Sequence, residues 1–312
     1  MSSFNLQKWS LDVATDQGDV LCAELTSYGF AGFGRAILAA DAWTTDGREV
    51  HDSLAVELPV IGPAGRVDAR GFSLGPDRDG FRLALDLPRI GLDLHCASGG
   101  EWRPNGNGVL LTKGTRVFRW VVPQFRARVS GFLTMGSGKF DVQGTGCLVA
   151  VSSDLPPWRP RITELFRGTA HFPFATLLFL ELRTGEGAVI QNILVKKDEE
   201  PGHRTEAGRE PPRLRWIDDY QFQVDDRGHP GQTVLRHPAF TLSLTGKRAL
   251  ESGAGSLARE DRPAFPWKLL DRLYGRPESR KVLAEARLSM GGREERGLAF
   301  HERVVRRRGY TA

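Results

Sequence analysis

Phe81-Arg82-Leu83-Ala84-Leu85-Asp86-Leu87 decides the fold. Side chains of an extended strand point alternately to opposite faces, so this stretch turns Phe81, Leu83, Leu85 and Leu87 one way and Arg82, Ala84 and Asp86 the other. One greasy face and one polar face mark a half-buried strand of an antiparallel sheet. The same period recurs on both sides of it. Val56, Leu58 and Val60 alternate with Ala55, Glu57 and Pro59, and Phe240, Leu242 and Leu244 alternate with Ala239, Thr241 and Ser243. Towards the end, Val282, Ala284, Ala286, Leu288 and Met290 share a phase. Gly291 and Gly292 then supply a tight turn before a strand at 298–305, which predicts a closing hairpin.

Further strands are expected at 10–14, 19–26, 35–43, 67–74, 91–96, 108–112, 116–121, 125–134, 138–143 and 146–152, and then at 165–171, 176–183, 188–195, 214–224 and 232–236. Helical spacing is confined to 265–274, where Trp267, Leu270 and Tyr274 fall on one side before Gly275 and Pro277. The Pro-rich stretch at 154–162, SDLPPWRPR, suits a stiff crossover. KDEEPGHRTEAGREPPR, at 197–213, mixes both charges with Pro and Gly and suits a mobile surface loop. A cut at 157 leaves roughly eight strands on each side, the number that closes a small barrel. The sequence thus predicts an all-β chain of two consecutive antiparallel β-barrel domains, residues 1–157 and 158–312.

Composition narrows the function. With 312 residues, 40% hydrophobic and 26% charged, the chain is globular and not collagen-like, coiled-coil or disordered. No apolar run approaches the roughly 20 residues that span a bilayer, and the start lacks a basic segment followed by an apolar one. A membrane span is therefore not expected, and the cytoplasm is the expected compartment. The net charge of +5 resides entirely in the stretch from Glu251 to the end, where 14 basic residues meet 9 acidic ones, with Arg306, Arg307 and Arg308 near its close. No aromatic residue is interleaved within that closing arginine run to stack on bases, so it reads as a solvated tail and not a nucleic-acid site.

Cys22, Cys96 and Cys147 are far apart, and the seven histidines never fall in H-x-H or H-x-x-x-H spacing, so neither a disulfide framework nor a metal site is indicated. Gly71-Phe72-Ser73-Leu74-Gly75 satisfies the serine-hydrolase elbow. That chemistry needs a strand, a strained turn and a helix, whereas here a second alternating segment follows, which reads as a hairpin.

Carboxylates in apolar strands are the best candidates for chemistry, because a charge taken out of water demands a partner. Glu181 lies in TLLFLELRT, and Glu302 shares a phase with Leu298, Phe300 and Val304. Either serves as acid, base or orienting group, or forms a structural ion pair with an arginine such as Arg167, Arg126 or Arg128. His171 shares a phase with Arg167 and Thr169 and is a candidate pocket wall. Trp120, ending one strand, and Trp158, in the Pro-rich stretch, lie close to the predicted junction. Gln191 and Asn192, flanked by Ile190 and Ile193, offer hydrogen bonds in an apolar wall. Aromatic walls with a few polar anchors suit an apolar small molecule.

From Trp120 to Leu182 the chain resembles a known family. Pro123, Ala127, Val129 and Gly131, then Gly136 to Gly138, Gly144-Thr145-Gly146 and Arg167-Gly168, resemble the carotenoid 1,2-hydratase and AttH-like family; Gly297 to Glu302, GLAFHE, is similar to that family's last strand. The resemblance implies two lipocalin-like (calycin) barrels. Where the family carries a His/Asp/Asn-rich run and then a Trp-rich strand, this chain has Cys147 to Asp154 and Phe166 to Phe172, without the hydratase-type acid. The resemblance therefore points to the branch of cofactor-free cyclases, such as Diels-Alderases of polyketide pathways, acting on an apolar polyene. A lipid or isoprenoid carrier and a hydratase-like lyase are the alternatives.

Overall fold

The alternation at Phe81 is reproduced as burial: Phe81, Leu83 and Leu85 are buried while Arg82 and Asp86 are exposed. The structure is a computed structural model describing residues 4–30, 33–97, 108–156, 162–187, 189–197, 215–217, 221–225, 231–250 and 276–307. Among them there is no α-helix, and one 3-10 turn spans Pro63–Gly65. The helix expected at 265–274, the loop at 197–213 apart from Lys197, and Trp158 lie outside the described residues.

The chain divides into two compact units. Unit 1 holds β1 (Phe4–Thr15), β2 (Val20–Phe30), β3 (Phe33–Trp43), β4 (Glu49–Val56), β5 (Val60–Ile61), β6 (Val67–Ala69), β7 (Phe72–Asp77), β8 (Gly80–Asp86), β9 (Ile90–Ala97), β10 (Gly108–Lys113), β11 (Arg116–Met135) and β12 (Gly138–Ser153). They form one antiparallel sheet in the order β4-β3-β2-β1-β12-β11-β9-β8-β7-β6-β5, with β10 beside β11. The sheet curls. The Arg89 backbone N–H donates to Asp52 at 2.7 Å and its guanidinium to the His51 carbonyl at 3.3 Å, drawing the β8–β9 turn against β4. Leu11, Leu25, Leu38, Leu74, Phe81 and Leu94 belong to the core inside the curl; each buried side chain of this kind stabilises by roughly 1.5–3 kcal/mol.

Unit 2 holds β13 (Ile162–His171), β14 (Ala175–Thr184), β15 (Val189–Lys197), β16 (Arg215–Ile217), β17 (Gln221–Asp225), β18 (Gln232–His237), β19 (Phe240–Leu250), β20 (Arg276–Met290) and β21 (Arg293–Arg307). Their order is β16-β15-β14-β13-β21-β20-β19-β18-β17. The expected closing hairpin is β20–β21, turned by Gly291 and Gly292 at φ of 61° and 76°, where any other residue would be strained. Phe166, Phe179, Ile193, Leu242 and Ala299 belong to its core.

Several local expectations change, and the one for Gly71–Gly75 holds. Only Val56 of the 55–60 pattern is buried, while Leu58 and Val60 are 53% and 69% exposed. Pro59 has no N–H to donate to a ladder and leaves β5 as a two-residue edge. The strands expected at 116–121 and 125–134 are one strand, β11, with bulges around Gln124. The Gly71–Gly75 stretch enters the β7–β8 hairpin, the geometry expected of a turn and not of a catalytic elbow.

Candidate functional site

Unit 2 carries an unusual strand. On β13, Phe166 and Ala170 face the core. Arg167, Thr169 and His171 occupy the other face and are buried as well, at 7%, 0% and 9% exposure. Leu178, Leu180 and Phe300 are their cross-strand neighbours. A polar row inside an apolar surrounding must be satisfied, since an unmade hydrogen bond there costs roughly 1–3 kcal/mol.

Arg167 meets this demand with Glu302, which stands directly opposite on β21. Nε and Nη2 both donate to Oε2, at 2.8 and 2.7 Å. His171 Nδ1 lies 3.2 Å from the Thr176 hydroxyl. The Thr169 hydroxyl has no hydrogen-bond partner among the described residues. Lys281 on β20 is 1% exposed, with its ammonium 5.8 Å from the Phe300 ring. β20 is the neighbour of β21, the strand that carries Glu302. A buried carboxylate held by a buried arginine thus shares a strand face with a buried hydroxyl, beside leucine and phenylalanine, and a second buried cation stands near that phenylalanine.

The other expected residues divide around this row. By backbone register Asn192 continues it, opposite Leu180, whereas Gln191 stands opposite Glu181. Glu181 is buried at 2% on the core-side phase of β14 and accepts from Arg183 Nε at 2.6 Å. Trp120, at 1% exposure, belongs to unit 1, between Val109 and Val151. The structure therefore brings Glu302, His171 and the Asn192 position together, and sets Glu181 and Gln191 in a neighbouring row.

Two groups in unit 2 escaped the sequence reading. His301 shares the core phase with Ala299 and packs on Phe166 at 5.2 Å between ring centroids. Burial pushes its imidazole down to about 4, and Nδ1 has no partner among the described residues. Gly168 makes room for it: a Cβ there would lie 2.7 Å from the His301 Cβ and 2.5 Å from the Phe179 ring. Lys281 was hidden by its phase-mates Glu285 and Arg287, which look solvated.

Unit 1 has its own buried polar face. Lys8 Nζ lies 2.9 Å from Glu24 Oε1, which also accepts from the Ser10 hydroxyl at 3.2 Å. Asp41, 1% exposed, holds His51 Nδ1 at 2.5 Å. An open groove of about 780 Å³ on the same unit, lined by Ser73, Ala84, Asp93 and Phe132 among others, contains none of these groups. Among the described residues no three His, Cys, Asp or Glu side chains are placed to hold a metal ion, and no helix is long and apolar enough to cross a membrane.

No family model and no curated protein sequence matches the chain. Solved structures do. CghA with Sch210972 aligns over 98% of this chain and 89% of its own, with 14% identity and a TM-score of 0.59. An AttH-type protein of Nitrosomonas europaea aligns over 96% and 92%, with 13% identity and a TM-score of 0.59. Kievitone hydratase of Nectria haematococca aligns over 97% and 89%, with 9% identity and a TM-score of 0.62. At these identities the likeness shows the fold, two consecutive lipocalin-like antiparallel barrels of the AttH-like type.

Proposed function

We propose that this chain, an AttH-like double barrel in fold, binds an apolar polyene or polyketide-type small molecule and cyclises or isomerises it without a cofactor, in the cytoplasm. The observation that carries the reading is the Thr169 hydroxyl. It is fully buried, lacks a hydrogen-bond partner among the described residues, and sits on the same strand face as the Arg167–Glu302 pair. A substrate carbonyl would accept from it. Polarising that carbonyl draws electrons from a conjugated chain, and the adjacent cations stabilise the negative charge that grows on oxygen as a ring closes. Holding the chain folded supplies the rest of the acceleration. In this reading Asn192 and His171 are anchors on the Thr169 face, and Glu302 positions Arg167.

Both carboxylates are already tied to arginines, Glu302 to Arg167 and Glu181 to Arg183. Such groups orient their partners more readily than they donate protons. Water addition, as in the hydratase named above, is accordingly the less supported activity. The same pairing favours a second reading, a non-catalytic carrier of lipids or isoprenoids, because a carrier needs no proton donor.

One experiment separates the three. The protein is incubated with a chain in which a conjugated diene is tethered to an enone, and the mixture is followed by absorbance and mass. A cyclase gives an isomer of unchanged mass with loss of conjugation, and Thr169→Val slows it about tenfold. A hydratase gives one added water. Quenching of tryptophan fluorescence with the ligand recovered intact identifies the carrier, and no quenching and no product refute the apolar-ligand reading altogether.

A further inference from the structure

β11 changes neighbours midway. β10 ends its pairing where Gly108 meets Val121, and β9 begins where Ala97 meets Arg128. Along that edge, residues 122–127 have no strand neighbour among the described residues. In the same interval the register with β12 slips twice, between Val121 and Gln124 and between Gln124 and Ala127. Arg126 takes a φ of 53°, the left-handed region that a long side chain rarely enters. Pro123 brings no N–H, so its place at an irregularity is expected.

Within this segment Gln124 is 5% exposed, and its Oε1 has no hydrogen-bond partner among the described residues. Val121, Val122 and Phe125 beside it are buried too. A continuous 20-residue strand has no geometric need for two slips, a strained residue and an orphaned acceptor. Bulges re-aim side chains next to sites, and strained backbone concentrates where a ligand is held. A buried acceptor without a donor calls for an explanation, and beside a bulge and a strained residue a ligand's donor supplies one.

We propose that the bulged segment Val121–Ala127 is a ligand-contact position at which the Gln124 carboxamide oxygen accepts one O–H or N–H donor from an otherwise apolar ligand. Gln124 is a specificity residue: it selects a hydroxylated or amide-bearing chain over one that lacks the donor. This rests on the apolar-ligand reading above and adds the donor to it.

The test uses retinol and its methyl ether, equal polyenes that differ in one O–H, titrated by fluorescence into the wild type and Gln124→Met. The wild type is expected to bind the alcohol about tenfold more tightly than the ether, one hydrogen bond's worth. Gln124→Met should bind both as the wild type binds the ether, with a melting temperature equal to or above the wild type's because the orphaned acceptor is gone. An alcohol-to-ether ratio near one in the wild type, or the same ratio in both proteins, overturns the proposal while leaving the apolar-ligand reading intact. Binding of neither polyene removes that reading and this inference with it. Gln124→Leu serves if the Met variant does not fold; loss of the fold in both identifies a structural role and also overturns the proposal.

Discussion

The two units repeat one strand plan with different outcomes. In each, four successive strands run outward from the first, and the first also pairs with the last: β1 with β12, β13 with β21. In each, the first strand carries a basic residue, a hydroxyl and a titratable group on the phase opposite its core, Lys8-Ser10-Asp12 in unit 1 and Arg167-Thr169-His171 in unit 2. In unit 1 the hydroxyl is used. Glu24, from the neighbouring β2, receives both Lys8 and Ser10. Unit 2 draws its carboxylate from β21 instead, two positions along from Phe300, which stands opposite Thr169, and the Thr169 hydroxyl is left over. Moving one carboxylate from one neighbouring strand to the other thus separates a hydroxyl that is already bonded from one with a hydrogen bond still to make.

The largest expected effect breaks the carboxylates themselves. Glu302→Leu leaves Arg167, 8% exposed in its side chain, without its partner and should cost about 3–5 kcal/mol. Glu24→Leu leaves Lys8, 21% exposed, whose long side chain can reach water, and should cost roughly 1–2 kcal/mol. Urea denaturation of the two variants measures both. Equal costs would mean that the two clusters are energetically alike and that the comparison is only one of geometry.

Next comes a pH dependence that only one core should show. His301 has an ordinary value of 6.5, and burial holds it at about 4 in the folded unit 2. Between those values the unfolded chain takes up a proton that the folded chain refuses, so stability falls as pH falls. The contribution is whole above about pH 6.5 and loses about 3 kcal/mol by pH 4. In unit 1 the buried thiol of Cys96 is pushed up by the same burial and stays protonated throughout this window. His301→Phe should therefore flatten the stability profile between pH 6.5 and 4 relative to wild type, and Cys96→Ala should shift it without changing its slope. A slope unchanged in His301→Phe would show that the imidazole is hydrated in the folded state.

How much of this was legible follows from what alternation encodes. Period two names the phases of a strand, so β8, β19 and the β20–β21 hairpin could be read directly, and so could Arg167 as one of the arginines available to Glu302. It does not say what covers the second phase. Asp12, Glu24 and Asp41 fall in the polar phase and read as solvated, yet they are 5%, 4% and 1% exposed. A weaker signal lay in their companions: Ser10, Cys22, Ala39, Cys147 and Val149 are small or apolar, where a wet face carries lysine and glutamate. Pro123 misled in the opposite sense. It reads as a break between two strands, but a bulge absorbs it, and the Gln124 site depends on a register that no single strand reveals.

The smallest effect on stability discriminates best, because it has opposite signs in the two units. Ser10→Ala removes a hydroxyl that donates to Glu24, so the variant should lose about 1 kcal/mol and bind ligand as before. Thr169→Val keeps the shape and removes a hydroxyl that has no partner among the described residues, so the variant should be neutral or up to about 1 kcal/mol more stable. Affinity for a carbonyl-bearing polyene should fall about tenfold in this second variant alone. Thermal melts and fluorescence titrations on the pair give all four numbers. If Thr169→Val loses stability and keeps its affinity, the hydroxyl serves the fold, as that of Ser10 does in unit 1. If it gains stability while losing affinity, the sequence has kept a costly buried group for a ligand to complete.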